Sequence, residues 1–111
     1  MTVGFGADTV ACSTGWCAYD GFGVKRFTTG SLLAVGDGDL WFLANATATG
    51  QGAACVGDWG GPHLLGSTNV AVGLTAFITS GEHMGCSSIY GAQRLDTASV
   101  RRFLGGFMTL P

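Results

Sequence analysis

Short apolar runs separated by glycine-rich turns dominate the first half of the chain. Residues 2–6 begin as a strand and pass into a segment, extending to Gly23, that has no hydrophobic periodicity and is expected to be a loop. Residues 24–35 and 39–47 have strand composition, and the Gly-Asp-Gly-Asp at 36–39 between them suits a hairpin turn. The pattern predicts a paired β-hairpin after a long loop.

The second half repeats this pattern. Residues 48–62 contain too many glycines for regular structure, so we expect a loop there. Residues 63–66 and 69–81 read as two strands joined by a Gly-Ser-Thr-Asn turn, and 87–95 reads as a last strand. A loop between two β units is therefore expected near the middle of the chain.

The hydrophobic period changes close to the C-terminus. Apolar residues there recur at helical spacing, namely Val100, Phe103, Leu104, Phe107 and Met108. Arg101 and Arg102 fall on the other face, and Asp96 or Thr97 would cap the helix. About six strands followed by one helix predict an antiparallel barrel or sandwich closed by that helix.

Composition limits the classes of function. The 111 residues, 47% hydrophobic and 11% charged, fit a single domain spanning 1–111. A net charge of −2 provides no basic stripe for nucleic acid and no polybasic membrane anchor. No segment reaches the roughly 18 apolar residues of a membrane span. The sequence shows no export signal.

Four cysteines lie in the chain, at Cys12, Cys17, Cys55 and Cys86. Four cysteines allow three pairings, and the absence of CxxC pairs favours disulfides over a metal site. Neither a metal nor another cofactor is predicted. Disulfides normally need an oxidising compartment, which conflicts with the lack of an export signal and suggests an incomplete chain.

The loop Cys-Val-Gly-Asp-Trp-Gly-Gly-Pro at 55–62 resembles the nucleophile loop of chymotrypsin/trypsin-like serine proteases. Residues 2–6 are similar to the segment that opens the second barrel of that fold, and 70–77 to its substrate-lining strand. Residues 94–104 are similar to the last strand and helix of bacterial secreted members. The resemblance implies the second, six-stranded antiparallel β-barrel of the fold with a C-terminal helix, in a secreted protein.

The resemblance also assigns roles within the loop. Trp59 stands where the family has its serine nucleophile, and Gly57 contributes to the oxyanion hole. Asp58 would pair with the N-terminal amine that activation cleavage creates. An indole has no hydroxyl to attack a carbonyl, and neither His63 nor His83 matches the catalytic histidine. Each histidine is expected at the surface or in a local hydrogen bond.

A specificity pocket is implied by the same resemblance. Ala53 would form its floor, Ala54 and Cys55 one wall, Ala76 and Phe77 the substrate-lining strand, and Gly91 the opposite wall. A Cys55–Cys86 disulfide would cross its mouth. Because Ala53 replaces the acidic floor of a trypsin-like member, an apolar ligand is favoured. The alternative is that these residues simply pack in a decayed site.

Three functions fit these observations. The first is a truncated, inactive endopeptidase homologue. The second is a binding module that uses the remaining pocket for a peptide or protein. The third, an active half completed by a separately encoded first barrel, is disfavoured by Trp59. The face that would contact a first barrel is expected to be an exposed apolar patch, so we also expect self-association.

Overall fold

The computed structural model describes residues 1–45, 49–79 and 86–111. Within them lie nine strands and a C-terminal helix. The elements are β1 Thr2–Gly4, β2 Thr9–Ser13, β3 Trp16–Asp20, β4 Arg26–Thr28, β5 Leu32–Val35, β6 Asp39–Leu43, β7 Pro62–Leu64, β8 Ala71–Thr79, β9 Ile89–Arg94 and α1 Ala98–Leu104. The expectation of a mostly β chain ending in one helix is confirmed.

Seven of the strands form one curled antiparallel sheet with the shape of a half-barrel. Its order is β4-β1-β7-β8-β9-β6-β5, and β2 pairs with β3 in a separate hairpin. The prediction of a closed six-stranded barrel is wrong. β4 and β5 are the two ends of the sheet, and only residues 29–31 separate them in the chain. They pair with different neighbours, β1 and β6, and not with each other.

Two segments differ from their predicted structure. Residues 24–35, expected as one strand, form β4 and β5 instead, because the polar Thr-Thr-Gly-Ser at 28–31 interrupts the apolar run. The expected loop before Gly23 contains the β2–β3 hairpin, whose residues are nearly all exposed. A hairpin that buries neither face has no hydrophobic alternation to reveal it in the sequence.

The two predicted hairpins are present. In the β5–β6 turn, the Gly36 amide donates to the Asp39 carbonyl at 2.8 Å. In the β7–β8 turn, the Leu65 amide donates to the Val70 carbonyl at 2.9 Å. Gly66 has φ +55° in the second turn, where glycine permits the tight reversal. Both pairs of strands are antiparallel.

The core lies on the concave face of the sheet and is small. Leu40 and Phe42 of β6 stand opposite Ala92 and Tyr90 of β9, and all four side chains are buried. The phenyl ring of Phe42 stacks on Tyr90, with 5.1 Å between ring centroids. Alternation along both strands places every second side chain in this core, as the pleat requires.

The C-terminal helix begins where the sequence predicts. Thr97 is its N-cap, and its hydroxyl accepts from the Val100 amide at 3.4 Å. The helix buries no residue, so the expectation that it closes the barrel is wrong. Phe103 is 66% exposed, and Phe107 lies beyond the last helical residue and is 75% exposed. Among the described residues, no helix is long and apolar enough to cross a membrane.

Candidate functional site

The glycine-rich loop between Cys55 and Pro62 folds as two consecutive turns. The Asp58 amide donates to the Cys55 carbonyl at 3.0 Å, and the Gly61 amide donates to the Asp58 carbonyl at 2.9 Å. Gly57 has φ +96°, in the region that side chains rarely adopt, and a Cβ there would lie 3.1 Å from the Phe22 ring. The conformation therefore favours glycine at Gly57, and a Cβ there would also require its neighbours to shift by a few tenths of an ångström.

The Asp58 side chain points into the molecule. Its Oδ1 accepts from the Gly6 amide at 2.7 Å, and its Oδ2 accepts from the Cys55 amide at 2.8 Å. These two bonds join the segment after β1 to the start of the loop. The amine of Met1, which the resemblance does not assign to any role, donates to the Leu64 carbonyl at 2.8 Å instead of approaching Asp58.

The neighbouring Trp59 side chain points outward and is 52% exposed. Within the described part of the chain, the amides of Gly57 and Trp59 donate no hydrogen bond, whereas the Gly60 amide donates to the Thr75 carbonyl at 2.8 Å. The loop therefore combines an anchored carboxylate, an exposed indole and two available backbone donors. Donors of this kind are what an oxyanion hole needs.

Thr75 of β8 fixes the far end of the loop. Its amide donates to the Gly61 carbonyl at 2.9 Å, and its hydroxyl donates to the same oxygen at 3.3 Å. Together with the bond that its own carbonyl accepts from Gly60, these contacts hold the two glycines against the sheet. The position of Trp59 thus depends on β8 as well as on the loop itself.

His63 was expected at the surface or in a local hydrogen bond; it is not at the surface, being only 2% exposed, and it is hydrogen-bonded. Its Nε2 lies 3.0 Å from the Thr75 hydroxyl, and its Nδ1 lies 3.1 Å from the Thr2 hydroxyl. Because the Thr75 hydroxyl donates to Gly61, it accepts the Nε2 proton, and Nδ1 accepts from Thr2. The ring also stacks on Phe42, with 4.7 Å between centroids. His83 lies outside the described residues.

Burial lowers the pKa of His63 from 6.5 to about 4, and the charge of the N-terminal amine acts in the same direction. The imidazole is therefore neutral near pH 7. Burial also raises the pKa of Tyr90, while the side chain of Thr2 opposes that shift. Thr2, His63 and Thr75 form a buried polar chain across three strands, which leads to Gly61 of the loop.

A cavity of about 710 Å³ opens beside the loop. Three of the predicted pocket residues, Ala53, Ala54 and Cys55, line it together with Cys86 and Asp58. Sequence reasoning missed its other charged residues, Asp8 and Arg26, which form a salt bridge at 2.7 Å. Asp8 lies in the segment predicted as a loop, and Arg26 lies in the predicted strand that follows it. No local sequence pattern indicates that the two side chains form a contact.

The other three predicted pocket residues are absent from the described lining of this cavity. Ala76 is exposed. Phe77 lies directly across from Gly91 in the sheet, and its ring covers that glycine so closely that no Cβ would fit. On the far side of Gly91, Trp41 meets Phe77 edge to face, with 4.8 Å between centroids. The structure thus places three of the six predicted residues at the cavity and the other three in strands β8 and β9.

All four cysteines are paired. Cys55 and Cys86 form the disulfide that the resemblance implies, across 31 residues of sequence. Cys12 and Cys17 stand directly opposite each other in the β2–β3 hairpin and form the second. No group of three or more His, Cys, Asp or Glu side chains suited to a metal occurs within residues 1–45, 49–79 and 86–111.

Comparison with known proteins gives no match: neither a family model, nor a curated protein, nor a solved structure is similar to this chain. The likeness to trypsin-like proteases therefore depends on the residues described above and is neither supported nor contradicted by these comparisons.

Proposed function

We propose that this chain is a catalytically inactive homologue of trypsin-like serine endopeptidases that corresponds to the second lobe of their fold. The observation that carries the proposal is the loop itself. Asp58 points inward to two backbone amides, and Trp59 points outward from the position of the nucleophile. A side chain without a hydroxyl at that position cannot form an acyl intermediate.

The surroundings of the loop support the proposal. The positive φ of Gly57 and the disulfide between Cys55 and Cys86 both fit the roles implied by the resemblance. The one described histidine cannot serve as a general base for the loop, because both ring nitrogens of His63 are engaged by threonines in the core. The two disulfides are compatible with an extracellular protein, and secretion is part of the proposal.

The test replaces the indole by the family's nucleophile. We expect Trp59→Ser to remain inactive on peptide esters and to resist labelling by a fluorophosphonate, because residues 1–45, 49–79 and 86–111 place no general base at the loop to activate the hydroxyl. Trp59→Ala serves as the matched control. Turnover in the serine variant, absent from the alanine variant and blocked by the fluorophosphonate, would show that a base does act at this loop.

The cavity beside the loop favours a second function, a peptide- or protein-binding module. Its volume of about 710 Å³ lies within the range of ligand pockets, and Ala53 and Ala54 give it apolar walls near the charged Asp8, Arg26 and Asp58. Such a module would bind an apolar side chain. The missing first lobe, packed on the exposed apolar surface, is the other partner that this proposal allows.

Specificity can be tested at Ala53. Isothermal titration would compare acetyl-Ala-Ala-Leu-amide with acetyl-Ala-Ala-Arg-amide on the wild type, Ala53→Asp and the uncharged control Ala53→Asn. We expect the wild type to prefer leucine, and only the aspartate variant to shift toward arginine, by about tenfold. An unchanged preference in Ala53→Asp would exclude this cavity as the ligand site.

A further inference from the structure

The chain exposes more surface than a protein of its size normally does. Its accessible surface is 6737 Å² for a mass of 11.3 kDa. A folded monomer of that mass exposes about 5,700 Å². The excess, about 1,000 Å², is close to the roughly 800 Å² that each partner buries in a standard protein interface. The exposed apolar side chains that contribute to this area lie in several elements, β5 among them.

Strand β5 is one of the two edges of the main sheet. It pairs with β6 on one side and has no strand on its other side among the described residues. Each of its residues is exposed and apolar, including Leu32, Leu33 and Val35. Leu32 and Val35 share a face with their β6 partners Phe42 and Leu40, and Ala34 shares the other face with Trp41, so both faces of this edge are apolar.

Proteins protect such edges with charge, proline, short strands or bulges. Residues 27–36 contain no charge and no proline, while β5 has four residues and a register shift between Leu32 and Ala34. An edge with free donors and acceptors, apolar on both faces and without charge, fits a partner that has the same three properties. A second copy of β5 has them, since it is the same strand.

We propose that two copies of this chain associate by antiparallel pairing of their β5 strands about a two-fold axis, which joins the two curled sheets into one. The inference is independent of the protease resemblance. It depends on the position of β5 at the end of the sheet and on the composition of residues 27–36. A two-fold axis closes the contact at two copies and leaves no further β5 edge open.

Charge selects the antiparallel direction. Asp37 and Asp39 follow β5 in the chain. Antiparallel pairing keeps the aspartates of the two copies at opposite ends of the contact. Parallel pairing would place like charges side by side, which is destabilising.

Leu33 offers the sharpest test. The β5–β6 register shifts between Leu32 and Ala34, so Leu33 has no partner in β6 and its replacement removes no existing pair. We expect sedimentation velocity of the disulfide-bonded wild type between about 1 and 100 μM to show a shift toward twice the monomer mass. Leu33→Lys should weaken this association by at least about tenfold, because it places a charge on the shared edge.

The matched control is Leu65→Lys in the β7–β8 turn, since Leu65 is 57% exposed and Leu33 is 56% exposed. It should associate like the wild type. Hydrogen exchange of the amides in residues 32–35 should also slow as the wild-type concentration rises. If circular dichroism shows Leu33→Lys to be unfolded, Val35→Lys takes its place.

Three results would overturn the proposal. One is a wild type that stays monomeric over the whole concentration range. Another is equal weakening by Leu33→Lys and Leu65→Lys, which would indicate a general solubility effect. The third is a dimer that Phe107→Lys dissociates and Leu33→Lys does not, which would place the contact at the exposed C-terminal residues.

Discussion

His63 should make the free energy of unfolding depend on pH. Its pKa is about 4 in the folded chain and 6.5 as a free side chain, so the unfolded state binds more protons between those values. Stability is therefore complete above pH 6.5 and falls as the pH drops toward 4. Linkage gives a loss of about 2 kcal/mol at pH 5 and about 3 kcal/mol at pH 4.

Urea unfolding at pH 7.5, 5.0 and 4.0 would measure this loss, with His63→Gln as the comparison. Glutamine retains hydrogen bonding toward Thr2 and Thr75 but does not titrate. Other titrating groups contribute equally to the pH dependence of the wild type and of His63→Gln. The informative quantity is therefore the difference between the two proteins in how the free energy of unfolding changes with pH. We expect the variant to be less stable at pH 7.5 but to lose about 2 kcal/mol less than the wild type on going to pH 5.

Equal pH dependence in the two proteins would refute the reasoning, because it would mean that the ring accepts a proton without disturbing the fold. A nuclear magnetic resonance titration provides an independent check. The ring protons of His63 should keep their neutral shifts until the pH approaches 4, while an exposed histidine changes near 6.5.

Two further predictions concern the loop and the cysteines. Asp58→Asn should lower the free energy of unfolding by about 1–3 kcal/mol, since the amide nitrogen cannot accept the bond from Gly6 or Cys55; a change below about 0.5 kcal/mol in urea unfolding would contradict this. Replacing Cys55 and Cys86 by serine should cost about 4 kcal/mol, and replacing Cys12 and Cys17 only about 2 kcal/mol, because the second pair closes a much shorter loop. Thermal melts would compare the two double variants. A lower melting temperature for the Cys12/Cys17 variant than for the Cys55/Cys86 variant would contradict the prediction and would mean that native-state contacts outweigh loop closure.

The elements that the sequence predicts well are those with a local cause. Thr97 caps the helix because its hydroxyl reaches an amide three residues away, and the Gly-Asp-Gly-Asp turn is closed by a bond between Gly36 and Asp39, within the same four residues. The length of the helix and the burial of its apolar side chains have no such local cause. Phe103 and Phe107 have helical spacing, but only the fold decides whether another element lies opposite them, and they are exposed.

The candidate site divides in the same way. Asp58 and Trp59 lie in the one tight loop that the sequence predicts, but the bonds from Gly6 and Cys55 to Asp58 were not predicted. By contrast, the burial of His63 depends on Thr2 and Thr75, which are 61 and 12 residues away in sequence. No window around the Pro-His dipeptide contains those partners. Contacts made by distant strands were therefore the part of the site that the sequence could not predict.

The position of β1 has a consequence for folding during synthesis. β1 lies between β4 and β7 in the sheet, and Thr2 pairs with His63. At about 5–20 residues per second, a ribosome needs several seconds to produce β7 after β1 has emerged. β1 therefore waits with one side uncovered until β7 has been made. Chaperone binding to β1 is most useful in that interval.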